Sequence, residues 1–301
     1  MNFTNGKQLL DLCTKEKMNI SQAMFLRETE YLEQDSVDVT QKMEHAYDIM
    51  KQSIRRSLDE DLIGMGGMIG GESKKLNRLQ ETGKNICGPL VSKAITYAVG
   101  VLEVNASMGL IVAAPTAGSS GVIPGVLCAA QEVYQLETAA ITQALYTASA
   151  VGYLITRNAT TAGAEGGCQA EVGSASAMAA AAMTQLMGGT PSQCLDAASF
   201  ALINILGLVC DPVGGLVEIP CQNRNAMGAS NALISAEIAL SGIQSVLPID
   251  EAIEVMFRVG RSLPASLRET SLGGTALAPS ACQACKIKWK RPESCGKTDN
   301  K

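Results

Sequence analysis

Between Ser36 and Leu58 the apolar positions Val39, Met43, Ala46, Tyr47, Met50, Ile54 and Leu58 recur at helical spacing among polar residues. That is the pattern of an amphipathic helix with one buried face. Ser36 is its expected N-cap and Asp38 suits its first turn. Asn19-Ile20-Ser21 opens an earlier helix, with Ser21 the expected cap. After the glycine run at 64–71 the pattern changes. Pro89 suits the first turn of a helix running to about Ser107. A glycine-rich loop spans 113–125, and two helices follow, one to about Gln135 and one from Glu137 to Gly152. A third loop covers 157–167. A helix of small residues runs from Ala170 to Met187 and stops at Gly188-Gly189. Pro191 opens the next, to about Leu208, and the loop 210–221 leads into a helix from about Asn223 to Ser241. Pro248 and Asp250 precede a last amphipathic helix. No run alternates apolar and polar residues as a half-buried strand would.

The expectation is therefore an all-α, single-domain chain with long glycine-rich functional loops. It divides into an N-terminal helical cap over 1–62 that belongs to the same domain, a helical body over 63–280, and a basic, cysteine-containing tail over 281–301. Compact domains seldom carry long structureless loops unless the loops hold a site.

Charge narrows the function. The 301 residues carry a formal net charge of -5, which argues against a nucleic-acid partner engaged through a basic surface. The basic stretch 286–291 reads as a solvated tail. The stretches 104–131 and 172–195 lack charged residues, but the first is broken by Pro115, Pro124 and glycines, and the second is mostly Ala, Ser, Thr, Met and Gly. Both read as buried helices, not membrane spans. Ten cysteines without a signal peptide at the N-terminus point to a reducing, cytoplasmic setting with free or metal-bound thiols.

The cysteines are not equivalent. Cys13, Cys87, Cys128 and Cys194 fall within or at the edges of predicted helices, where a thiol is ordinary core filling. Cys168, Cys210 and Cys221 sit where loops meet helices, beside Gly167, Pro212 and Pro220. Those neighbours free or fix the backbone for the close approach a sulfur ligand needs. Three thiolates around an iron–sulfur cubane would leave one iron without a protein ligand, an open Lewis acid. Cys282-Gln283-Ala284-Cys285, with Cys295 beyond, reads as a redox pair, part of a zinc site, or accessory thiols on a mobile tail. The run Thr116, Ala117, Gly118, Ser119, Ser120 and Gly121 offers backbone N–H groups and hydroxyls suited to a carboxylate. It is no Walker motif, because no Gly-Lys-Ser/Thr follows. His45, the sole histidine, lies on the amphipathic cap helix, which argues against a nucleophilic triad. Lys74, Lys75 and Lys93 lack the phosphate-binding context that pyridoxal phosphate requires.

On these segments the chain closely resembles the alpha chain, or catalytic domain, of the iron–sulfur-dependent bacterial L-serine dehydratases. The resemblance runs from about Gly64 to Pro279. It is carried by 70–75 (Gly-Gly-Glu-Ser-Lys-Lys), by 114–124, by 164–173 around Cys168, and by 210–225 around Cys210 and Cys221. It implies a helical catalytic part and a [4Fe-4S] cluster on Cys168, Cys210 and Cys221. The implied reaction is conversion of L-serine to pyruvate and ammonia, a step of amino-acid catabolism that can feed gluconeogenesis. In some members a C-terminal cysteine caps the open iron until substrate displaces it, and by position Cys282, then Cys285, matches it here. Single-chain members carry an additional β domain that this chain lacks. The resemblance therefore implies a separate beta subunit, a heteromer, and a higher oligomer.

The expected mechanism follows from these pieces. The open iron acts as Lewis acid on the serine hydroxyl and carboxylate. Residues 116–121, Asn223 and Arg224 bind or orient substrate, Arg224 through its bidentate fork. Lys74, with a pKa lowered by burial, or a group of the beta subunit, removes the α-proton. The alternatives are another [4Fe-4S] lyase such as a cysteine desulfidase, and a non-catalytic cluster-binding protein whose cluster is fully ligated.

Overall fold

The apolar stripes are buried by helices alone. A computed structural model describes residues 1–284, apart from the side chain of Cys282, and among the described residues there are thirteen α-helices and no strand. The one ladder-like contact is an isolated bridge between Cys210 and Arg268. Cys285 and Cys295 lie outside the described residues. Of Cys282 only the backbone is described, within the last short helix, Pro279–Ala284.

The centre is α9 (Cys168–Leu186), the small-residue helix. Around it pack α6 (Val122–Tyr134), α7 (Thr138–Asn158), α10 (Pro191–Ile203) and α11 (Cys221–Leu240), while α5 (Gly88–Ala106) lies across α6 and α11. Small side chains let these axes approach closely. A Cβ on Gly228 of α11 would stand 2.7 Å from Val172 of α9, and one on Gly121, just before α6, would stand 2.2 Å from the Ala98 carbonyl of α5. Two buried polar side chains, Ser176 and Asn231, are paired across the same contacts. Ser176 donates to the Gly228 carbonyl at 2.9 Å, and Asn231 donates to Ser176 at 2.8 Å and to the Ala201 carbonyl at 2.9 Å. A buried polar group without a partner would cost about 1–3 kcal/mol, so this thread fixes the register of three helices.

The N-terminal helices α1 (Gly6–Glu16), α2 (Ile20–Leu26) and α3 (Ser36–Asp59) add to the same core. The stripe on α3 behaves as read: Val39, Tyr47, Met50 and Ile54 are buried. The caps differ from expectation. Asn19, not Ser21, caps α2 in a reciprocal box with Gln22, and Asp35, not Ser36, caps α3. In each case the residue one or two positions earlier has the longer reach to the free N–H groups, and Ser21 is instead buried within the helix. Asp250 lies inside α12 (Ile249–Ser262) rather than before it, and its carboxylate accepts from the Gly6 and Lys7 amides of α1 at 2.6 and 3.0 Å. The loop expected at 113–125 ends at Gly121, since Pro124 and Gly125 lie in the first turn of α6. The helix opened by Pro191 stops at Ile203, and the loop at 157–167 contains a single helical turn, α8 (Gly163–Gly166).

Candidate functional site: three thiols and a hydroxyl loop

Cys168 and Cys221 are the first residues of α9 and α11, and Cys210 lies on an extended strap between α10 and α11. Gly167 has φ +76, and a Cβ there would meet the Leu208 carbonyl at 2.8 Å, so the turn that delivers Cys168 requires glycine. The Cys210 amide donates to the Leu267 carbonyl at 2.9 Å, and its carbonyl accepts from Glu269 at 2.7 Å. The strap is held from the α11 side by Arg224, which is bonded to the Val209 carbonyl at 2.8 Å and paired with buried Asp211 at 2.9 Å. The other Asp211 oxygen accepts from the Thr275 amide at 2.7 Å.

The three thiols share one electrostatic neighbourhood. Burial pushes Cys168 and Cys221 up to about 12 and pushes Cys210 up further. After burial, charge on Cys210 is opposed by Glu171, Cys168, Glu269 and Cys221, while Arg224 eases ionisation of Cys168 and Cys221. Two thiols at helix N-termini would ordinarily ionise readily. Here burial and crowding outweigh that help, and all three thiols are held above the ordinary thiol range. Cys13, Cys128 and Cys194 are buried too, up to about 11, 12 and 12, but apart from Cys168, Cys210 and Cys221, with Cys128 donating to the Tyr47 hydroxyl at 3.7 Å, and Cys87 is exposed.

Glu171, one turn along α9 from Cys168, joins thiols to loop. Cys210 Sγ lies 3.9 Å from its carboxylate. Its oxygens would also stand 2.6 Å from a Cβ on Gly163 and 3.2 Å from one on Gly118. Burial first, then the charge of Glu269, raises Glu171 to about 7, against a hydrogen bond from Thr116. In the loop, the Thr116 and Ser119 hydroxyls lie 3.0 Å apart, and the Ser120 hydroxyl is buried with no hydrogen-bond partner. Asn225, fully buried, clasps the loop to α11: it accepts from the Gly121 amide at 3.0 Å and donates to the Gly118 and Cys221 carbonyls at 2.7 and 2.9 Å. Nothing in the pattern along the chain singles out Glu171 or Asn225, which are two of several polar residues in small-residue helices. Only the packing of α9 on α11 shows their role.

The expected substrate residues divide accordingly. The loop 116–121 is brought to the thiols. Arg224 also lies there, its Nη1 engaged by Asp211 and the Val209 carbonyl of the strap, and Asn223 is exposed beside it. Lys74 is elsewhere: its ammonium is paired with Asp61 at 2.6 Å and makes no hydrogen bond or ion pair with the thiols or the loop. Its helix α4 (Glu72–Glu81) and the preceding loop are tied down by two buried carboxylates. Glu218 of the strap accepts from the Gly66 and Met68 amides, and Glu103 of α5 accepts from Glu72, Ser73 and Gln222. A cavity of about 550 Å³ between α3, α6 and α7 is bounded by 112–115, and no cysteine lines it.

Among the described residues no three His, Cys, Asp or Glu side chains close on one point as a single metal ion would require. A cubane is wider, and each thiolate binds a different corner. Three crowded, buried thiols, beside an Arg224 already paired with Asp211, are a donor set that fits such a group.

A family model described as "Serine dehydratase alpha chain" matches residues 15–276. The chain belongs to the serine dehydratase alpha chain family. Among relatives of this alpha chain, the probable L-serine dehydratase alpha chain of Bacillus subtilis is 46% identical, with 92% of each chain covered. The L-serine dehydratase alpha chain of Peptoniphilus asaccharolyticus is 45% identical over 91% of this chain and 94% of its own. The L-serine dehydratase of Helicobacter pylori is 37% identical over 91% of this chain but only 61% of its own length. The family match takes in all three thiols, the loop, Glu171 and Asn225, and ends before Cys282. No helix among the described residues of this alpha chain is long and apolar enough to cross a membrane.

Proposed function

We propose that the chain is the catalytic alpha chain of an iron–sulfur L-serine ammonia-lyase, converting L-serine to pyruvate and ammonia in the cytoplasm with a separate beta subunit in a higher oligomer. Cys168, Cys210 and Cys221 would hold a [4Fe-4S] cluster. Bound there, it supplies an iron free of protein ligands, a Lewis acid toward the serine hydroxyl and carboxylate. The supporting observation is that thiols from three separate segments meet in one buried neighbourhood beside a loop with an unpartnered hydroxyl, in a chain of this family.

The chain's own residues then have defined tasks. The 116–121 loop takes the carboxylate through its N–H groups and hydroxyls, with Ser120 Oγ the free donor. Asn225 holds that loop at a fixed distance from Cys221, Arg224 holds the strap, and Asn223 stands at the open side. Glu171 orients Thr116 and excludes a second carboxylate from the wall facing Cys210. Lys74, bound outward to Asp61, would need to exchange that partner to act as base, which favours a base from the beta subunit. A tail thiol, Cys282 or Cys285, would cap the open iron.

Anaerobic reconstitution with iron and sulfide tests the reading. With the beta subunit present, L-serine is expected to give pyruvate and ammonia and to change the visible spectrum, while L-cysteine gives no sulfide. Cys168→Ala, Cys210→Ala and Cys221→Ala are each expected to lose visible absorbance and activity together. Iron content unchanged in all three variants would reject the assignment. Sulfide release from cysteine would favour a desulfidase.

A further inference from the structure

Four large apolar side chains stand in water beside the candidate site: Ile63 is 72% exposed, Met65 59%, Met108 76% and Leu110 67%. They belong to two segments that run together. The Met65 amide donates to the Ala106 carbonyl at 3.0 Å, at the end of α5, and Met108 and Leu110 follow in the turn leaving that helix. An exposed Leu alone needs no explanation, but a cluster of this kind marks a contact surface. Met108 has φ +62, a left-handed conformation in which glycine would be unstrained. The fold thus presents a large apolar side chain at a position that penalises having one.

Ion pairs rim the patch. Arg56, which would lie 2.5 Å from a Cβ on Gly109, pairs with Glu60 at 2.8 Å, and Lys74 pairs with the fully exposed Asp61, two residues from Ile63. An apolar centre inside a polar rim is the anatomy of a protein interface. The patch also touches both halves of the site. Asn105 donates to the Ala117 carbonyl at 3.2 Å, and the Gly66 amide bonds to Glu218 of the strap.

The alpha-chain relatives are covered almost end to end, whereas roughly two-fifths of the Helicobacter pylori enzyme lies outside the match. We propose that Ile63, Met65, Met108 and Leu110 form the docking surface for a companion chain equivalent to that unmatched portion, seated at the edge of the thiol site. The proposal rests on the dehydratase reading. Its test reads contact and not turnover. The full chain is co-expressed with the polypeptide from the same source that aligns with the unmatched portion, carrying Met65→p-benzoylphenylalanine or Met108→p-benzoylphenylalanine, and irradiated. Adducts between the two chains are expected from both positions. None is expected from Ile86→p-benzoylphenylalanine, which is 97% exposed but lies at the opposite end of α5, about 28 Å away by helix rise. Met65→Glu with Leu110→Glu, both at exposed positions, is expected to weaken the complex at least tenfold with the helical signal unchanged. Adducts only to a second copy of this chain, only to residues 285–301, or from position 86 in preference to 65 and 108 would overturn the proposal, as would the absence of any complex. A cross-linked complex that leaves serine untouched would keep the docking surface and count against the dehydratase reading.

Discussion

Asn225 clasps the hydroxyl loop to the first turn of α11. Its side chain satisfies one buried amide and two carbonyls from two places in the chain, the 118–121 turn and Cys221. Asn225→Ala removes all three bonds and leaves the Gly121 N–H without a partner in a packed interior. A stranded group of that kind costs about 1–3 kcal/mol. The expected result is a loss of that size in urea denaturation, and a KM for serine that rises more than iron content falls, because the loop shifts while the thiols stay. Iron loss with an unchanged KM would mean that Asn225 serves Cys221 alone. At this scale the cysteines were legible and the carboxylate and amide around them were not. Gly167, Pro212 and Pro220 mark the special backbone of the three thiols in the chain itself. Glu171 and Asn225 acquire meaning from neighbours 39 to 107 positions distant, and one-dimensional pattern has no access to those. Arg224 was legible as a carboxylate partner, and the carboxylate it meets within the chain is that of Asp211.

At the level of elements, the strap and the 64–71 loop are a single mechanical unit joined by Glu218. Its carboxylate is buried and accepts from the Gly66 and Met68 amides. The glycines are what allow this approach: a Cβ on Gly66 would stand 2.6 Å from Leu216 and 3.0 Å from Glu218. Glu218→Ala strands two amides and is expected to cost about 1–3 kcal/mol or more, Glu218→Gln less because one oxygen still accepts. Gly66→Ala is expected to mimic Glu218→Ala by forcing the carboxylate away. Urea midpoints of the three variants check the order, and a Gly66→Ala protein as stable as the parent would refute the coupling. Helices with a strong stripe, such as α3, were readable because a buried face imposes its period on the sequence. Ends were less so. Gly125 reads as punctuation, yet it lies inside α6 because a Cβ there would meet the Ala94 carbonyl at 2.8 Å, so the same residue type serves close packing. The four-residue α8 is too short for any period to declare itself.

For the whole molecule, the three thiols sit on three separate parts of the chain: the start of the central helix, the strap between α10 and α11 with its single 3-10 turn, and the start of α11. A group bound by all three would tie the strap to the core, and it would bind the folded chain far better than the unfolded one. Anything with that preference stabilises by mass action, about 2.7 kcal/mol when present at a hundred times its dissociation constant. For a domain of this size that is on the order of 5 °C in Tm. Burial and the nearby Glu171 hold all three thiols above the ordinary range, a penalty that a bound iron cluster would relieve. Stripping iron anaerobically with a chelator is therefore expected to lower Tm by roughly that amount, and to open the strap first, seen as faster amide exchange at 210–220 than in α9. Cys210→Ser should melt like the stripped parent and show no further change on chelation. Were Tm indifferent to iron in the parent, or were the exchange to quicken in α9 and not in the strap, the three thiols would not be acting as one bridge.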